Sequence, residues 1–200
     1  KGRTTCGYFY PGSKQILYAS THEASPVCPP KPSYERGYVW PIYAGYDIYR
    51  ANPDGSNLTP LTRTPGYDAE ATIAPDGSIV FTSVRDGDME IYAMKSDGTD
   101  VKRLTNRPGP DGGPFFSWDG KQVAFRGKQF SPGAEFDDYR ALLKEGLWRP
   151  TELEIFVMNR DGSNQHQVTK LGKANFAPSW HPDGKRLIFA SNIADPKGRD

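Results

Sequence analysis

DIYRANPDGSNLTPLT (residues 47–62), EIYAMKSDGTDVKRLT (residues 90–105) and EIFVMNRDGSNQHQVT (residues 154–169) are one sixteen-residue pattern written three times without a gap. Such self-similarity means a structural unit copied and stacked. A second element recurs between the copies, as TIAPDGSIVFTS (72–83), FFSWDGKQVAFRG (115–127) and PSWHPDGKRLIFAS (178–191), with a degenerate version, YFYPGSKQILYAS (8–20), near the start. In each, an apolar or aromatic run meets Asp-Gly or Gly-Ser and resumes. This is a tight hairpin, because glycine supplies the positive φ that such turns require.

Each unit is therefore two hairpins in series, giving four short antiparallel strands, A to D. The step from Gly55 to Gly98 is 43 residues and from Gly98 to Gly162 is 64. Four strands at a base period near forty predict an all-β fold, a β-propeller of four-stranded antiparallel blades. Apolar residues at adjacent positions (Ile48-Tyr49, Ile91-Tyr92, Ile155-Phe156) fit blades covered on both faces, where strict polar and apolar alternation is not required. The boundaries fall at about 4–62, 67–105 and 110–169 for three complete blades, with a partial fourth over 174–200. Strand C of the fourth unit is missing, so the chain reads as a piece of a longer propeller; it also begins at Lys1 without a Met, as expected if a signal peptide or a longer N-terminal region has been removed.

These residues resemble the propeller repeats of the TolB family, periplasmic proteins of the Tol-Pal system. The matching pattern is Trp180, Pro182-Asp183-Gly184-Lys185, then Asp47-Ile48-Tyr49, then Asp161-Gly162-Ser163, closed by Leu61-Thr62 or Leu104-Thr105. The first unit departs from it with Pro11-Gly12-Ser13, and the third ends in Val168-Thr169. The resemblance implies a non-enzymatic module, periplasmic or extracellular, that binds a protein or cell-envelope partner. The same repeats occur in propellers of prolyl-oligopeptidase-type serine peptidases and in some metal-dependent polysaccharide lyases, which are the alternatives.

The chain has 200 residues, 25 basic against 24 acidic and a formal charge of +1. Nucleic acid is not expected as a partner, since a phosphate binder needs a clustered basic excess. No apolar run reaches the roughly 18 to 20 residues that span a bilayer, so direct membrane insertion is not expected either. Cys6 and Cys28 are the only cysteines. The extracytoplasmic setting that the resemblance implies favours a disulfide between them, with two free thiols as the other reading.

A residue present in every unit serves the unit, so function is sought in what is not repeated. Only the B–C connection varies: 26 residues at 21–46, 6 at 84–89 and 26 at 128–153. In a four-stranded meander the B–C and D–A connections emerge on one face. Two long insertions on either side of a short loop predict a cleft on that face, between two aromatic walls. The first wall carries Tyr34, Tyr38, Trp40, Tyr43 and Tyr46; the second carries Phe130, Phe136, Tyr139 and Trp148. Large rings with a polar tip suit partner recognition, although they could equally pack the insertions onto the propeller. The second wall is expected to hold a short helix capped by Asp137 or Asp138 and ended by Gly146.

Further candidates on this face are His22, which opens the first insertion, and Asp68, Glu70 and Asp111 on the D–A connections. Arg126 stands in a column otherwise held by Ala19, Thr82 and Ala190. It could grip a partner's carboxylate or pair with a neighbouring acid. No Gly-x-Ser-x-Gly elbow, phosphate-binding glycine loop or His-Glu-x-x-His occurs, and Asp86-Gly87-Asp88-Met89-Glu90 lacks the ligand ladder of a calcium loop. Catalytic residues, metal and cofactor are all expected to be absent.

Overall fold

The computed structural model describes residues 2–12 and 14–195. Ser13 of the first hairpin and residues 196–200 of the fourth unit lie outside them. The chain begins with β1 (Thr4–Phe9), β2 (Ile16–Ser20), the two-residue β3 (Trp40–Pro41), β4 (Asp47–Ala51) and β5 (Thr59–Pro60). It continues through β6 (Asp68–Ile73), β7 (Ile79–Ser83), β8 (Glu90–Met94), β9 (Lys102–Arg103), β10 (Asp111–Phe116) and β11 (Gln122–Gly127). Then come α1 (Ala134–Lys144), β12 (Leu147–Trp148), β13 (Glu154–Asn159), β14 (His166–Gln167), β15 (Asn175–Trp180) and β16 (Leu187–Ser191). The strand orders are β1-β2-β4-β5, β6-β7-β8-β9, β10-β11-β13-β14 and β15-β16. All are antiparallel meanders, as the repeat predicts.

The repeated residues are spent on closing each unit. The Asp of every hairpin turn accepts a backbone N–H two residues on, as with Asp54 and Ser56 at 2.9 Å, Asp97 and Thr99 at 3.0 Å, and Asp161 and Ser163 at 3.0 Å. This Asx turn replaces a backbone partner that the reversal removes. The acid that opens strand C and the Thr that ends strand D form one clamp. The Thr62 hydroxyl accepts from the Ile48 N–H at 2.9 Å and donates to Asp47 at 2.9 Å. Ile91, Thr105 and Glu90 repeat it, and so do Ile155, Thr169 and Glu154.

One repeated feature is invisible in the residue types. Strand A breaks register at the same point in all four units, and the residue there has positive φ: Cys6 at 53°, Glu70 at 56°, Gly113 at 57° and Ala177 at 47°. A β-bulge of this kind bends the strand and increases its twist. Three of these residues carry a Cβ, and a left-handed conformation costs such residues about 1–2 kcal/mol each.

Neighbouring sheets pack face to face. Leu17 and Ile48 of the first meet Ala71, Ile79 and Phe81 of the second, whose Val80 and Ile91 meet Val123, Phe125 and Met158 of the third. Ala124 and Val157 then meet Trp180 of the fourth. Both faces of β7 are consequently buried, whereas β16 alternates half-buried and exposed residues, with Ile188 64% exposed.

The sheets also meet at their C–D turns. A Cβ on Gly98 would stand 2.6 Å from the Leu61 carbonyl oxygen of the preceding sheet, and one on Gly162 would stand 2.7 Å from that of Leu104. Gly55 has the same backbone, φ 84° against 85°, yet nothing lies within 4 Å of its Cβ position. Gly55→Ala should thus cost only the strain of positive φ, about 1 kcal/mol. Gly98→Ala must also push two sheets apart and should cost roughly 1–3 kcal/mol more, as overpacking does. Urea denaturation of both variants checks this, and equal losses would contradict inter-sheet contact at that turn.

Candidate functional site

The two long insertions do not stand apart as separate walls. Strand β3 of the first pairs with β12 of the second, with Trp40 opposite Trp148 and Pro41 opposite Leu147. The indoles meet edge to face at 5.7 Å, and the Ile42 N–H donates to the Gly146 carbonyl at 2.7 Å. Outside this core Arg36 bridges Asp138 at 2.9 Å and Glu145 at 2.6 Å, while Arg149 reaches Asp138 at 3.3 Å and the Arg36 carbonyl at 3.0 Å. The expected pair of walls is therefore a single lobe, because the apolar edges of the two insertions cover each other.

The lobe is fastened to the blades by its aromatic residues. Tyr139 and Trp148 pack with Ile42, Met89 and Leu153, flanked by Phe130, Phe136, Tyr67 and Val84. The Tyr139 hydroxyl donates to Asp88 of the short loop, which also accepts the Gly109 N–H at 3.1 Å. Burial, followed by the Asp88 charge, holds the Tyr139 phenol far above its usual range, so it remains a donor. The helix starts before the expected caps: it begins at Ala134 after Gly133 at φ 149°, and Asp137 falls in its first turn. Gly146, at φ 70°, follows its C-terminus.

Between the lobe and the short loop a cavity of about 350 Å³ opens. Ile42 and Ala44 of the first insertion, Leu143 and Gly146 of the second, Val84 and Gly87 of the short loop, and the Tyr67 ring line it, with Arg140 and Lys144 of α1 completing the wall. The cleft expected between two aromatic walls is not formed, because the walls are fused; the cavity lies instead between the fused lobe and the short loop, and its lining is largely aliphatic. Sequence reasoning missed Arg140 and Lys144; their four-residue spacing on a helix was the available signal.

Most of the aromatic candidates are buried or half-buried. Trp148 is 3% and Tyr46 8% exposed, and Tyr38, Trp40 and Tyr43 are half-buried; Tyr34 alone of the six is open, at 61%. The Tyr43 hydroxyl donates to the Pro30 carbonyl and the Trp40 indole N–H to the Tyr38 hydroxyl. His22 is half-buried against the Tyr49 ring at 4.4 Å.

Asp68, Glu70 and Asp111 lie within β6 and β10, not on the connections before them, and each has an arginine. Asp68 pairs with Arg85 at 2.9 Å, and Asp111 pairs with Arg107 at 2.7 Å. Arg126 donates to both oxygens of Glu70, at 2.7 and 3.0 Å, so it pairs within the protein. Its guanidinium also lies over the Trp148 ring at 5.4 Å, which couples the lobe to the blade core. Burial alone would raise the Glu70 carboxyl. The Arg126 charge, together with hydrogen bonds from Thr82 and the Gly113 N–H, outweighs it and holds Glu70 below its usual value. Among the described residues, no group of three or more His, Cys, Asp or Glu is placed to hold a metal.

Cys6 and Cys28 carry free thiols, so the expected bridge is not formed. Cys6 is held in the first bulge with its sulfur 3.3 Å from the Thr5 hydroxyl, whereas Cys28 is exposed on the insertion. Burial pushes the Cys6 thiol up. Because the thiolate is the reactive form, a thiol reagent should modify Cys28 promptly and Cys6 at least about ten-fold more slowly. Denatured, never-reduced protein should release two thiols per chain, and finding none would contradict this arrangement.

No family model matches the chain. Over 39 residues, 20% of its length, the chain is 46% identical to dipeptidyl-peptidase 5 of Porphyromonas gingivalis, a stretch that amounts to 6% of that enzyme. Among solved structures it superposes on TolB of Agrobacterium tumefaciens with a TM-score of 0.64 at 23% identity, over 94% of this chain and 59% of that one. Puromycin hydrolase gives 0.60 at 14% identity, over 94% of this chain and 25% of the enzyme. The chain thus spans about three-fifths of the TolB structure and a quarter of the hydrolase. Among the described residues no helix is long and apolar enough to cross a membrane. With antiparallel four-stranded sheets, sheet-to-sheet packing and these superpositions in agreement, the chain has the fold of a TolB-like β-propeller.

Proposed function

We propose that this chain is a non-enzymatic propeller module, working in the periplasm or outside the cell, that binds a protein partner of the cell envelope through the face carrying the fused lobe. One observation carries the reading: elaboration is confined to that face. Every repeated residue is absorbed by turns, clamps and inter-sheet packing, while both long insertions converge on one lobe that borders a cavity of about 350 Å³. Loops set on a rigid scaffold are where binding is usually placed.

The test compares the immobilised chain with a variant in which 21–46 and 128–153 are both replaced by the short 84–89 connection. The chain should retain a defined set of envelope proteins that the variant does not. Equal retention by both would overturn the reading. A second reading, the propeller of a prolyl-oligopeptidase-type serine peptidase, is supported by the short identity to dipeptidyl-peptidase 5 and by the likeness to puromycin hydrolase. It requires peptidase activity in the whole polypeptide, abolished when a serine outside this segment is replaced.

A further inference from the structure

The cavity under the lobe has an apolar floor and a cationic rim. Ile42, Val84, Leu143 and the Tyr67 ring supply the floor. Arg140 and Lys144 stand one helical turn apart at the edge, both exposed. Like charges at this spacing on a helix repel each other. Among the described residues neither makes an ion pair; the only contact of either head is Arg140 over the Phe136 ring at 5.7 Å. Asp137, three residues before Arg140, is exposed and makes no ion pair with it; the other nearby acids are already engaged, Glu145 and Asp138 by Arg36, Asp86 by Tyr92 and Arg103, Asp88 by Tyr139 and the Gly109 N–H. Elsewhere on the lobe, by contrast, Arg36, Lys128 and Arg149 are all paired.

We infer that the cavity receives the carboxy-terminal end of a partner polypeptide, with an aliphatic last side chain on the apolar floor and the terminal carboxylate held between Arg140 and Lys144. The inference rests on the protein-binding reading of this face and names the chemistry recognised there. A volume of about 350 Å³ accommodates one or two residues and excludes a folded element. Two cations at its edge match one carboxylate, which can accept from both at once.

Calorimetric titration with N-acetyl-Ala-Ala-Leu, as free acid and as carboxamide, tests this without any envelope extract. The acid should bind and the amide should bind at least ten-fold more weakly. Arg140→Ala with Lys144→Ala should weaken the acid at least ten-fold with an unchanged melting temperature, since both side chains are exposed. Octanoate, which offers a carboxylate without a peptide backbone, should bind at least ten-fold more weakly than the acid. No binding of the acid, equal binding of acid and amide, octanoate matching the peptide, or a double variant with unaltered affinity would each overturn the assignment while leaving the envelope-retention test of the face intact. Conversely, retention of envelope proteins that survives loss of the lobe would overturn the face reading, and the peptide titration would still stand or fall alone.

Discussion

Arg126→Met should destabilise the chain by about 3–5 kcal/mol at pH 7, because it leaves the largely buried Glu70 carboxylate without its counter-charge. Arg126 is 6% exposed and donates twice to Glu70, which also accepts from Thr82 and the Gly113 N–H. Adding Glu70→Gln to Arg126→Met should restore much of the loss, since a neutral amide tolerates burial better than an unpaired charge. The pH dependence separates this from simple loss of packing. In the native chain the Glu70 carboxyl is held below its usual value, so its contribution is fully present above the unfolded value and is lost as pH falls through the folded one. Without Arg126, burial is opposed only by the hydrogen bonds from Thr82 and the Gly113 N–H, and the carboxyl rises from its native value. The deficit of the variant should therefore shrink as pH is lowered from 7 to 4. Urea denaturation at both values checks it; a deficit independent of pH would mean that Arg126 acts through its contact with the Trp148 ring instead.

Trp148→Ala is the second large effect expected. The ring is 3% exposed, sits edge to face on Trp40 and underlies Arg126. Removing it should cost about 3–5 kcal/mol, the range for truncating a buried aromatic. Tyr34→Ala, at a ring 61% exposed, should leave the melting temperature nearly unchanged. The pair also divides packing from recognition. If Trp148 is a packing ring and Tyr34 a contact ring, Tyr34→Ala lowers partner retention without loss of stability, whereas Trp148→Ala lowers stability first.

The blades were legible because their signals are local. Asp-Gly turns, an acid opening strand C and a Thr closing strand D recur at fixed spacing, and each has a hydrogen-bonding duty inside its own unit. The strand-A bulge was not legible, since Cys6, Glu70, Gly113 and Ala177 share a backbone conformation and nothing else. The pairing of β3 with β12 was equally hidden. It joins two residues to two others across most of the chain, and Trp40 and Trp148 looked the same whether they faced solvent or each other. That is also why most of the rings proposed for binding are buried or half-buried in the fold. The helix boundary was misplaced because Asp137 and Asp138 are good caps by type, while the start is set by Gly133 and its positive φ. The site itself was legible as a place, from the lengths of the B–C connections, but not as a chemistry. Arg140 and Lys144 differ in type from no other exposed base of the chain, and only the fold sets them beside a cavity.

The two insertions form one cooperative lobe on an independent scaffold. Melting temperatures of three variants test it directly: 21–46 replaced by the short connection, 128–153 replaced, and both replaced. Each single replacement strips the apolar edge from the surviving insertion, exposing Trp40 and Ile42 or Leu147 and Trp148, and should lower the melting temperature markedly. Replacing both removes those edges together, so the double variant should unfold in one transition and melt no lower than the less stable single variant. A double variant whose loss equals the sum of the two singles would show that the insertions act independently.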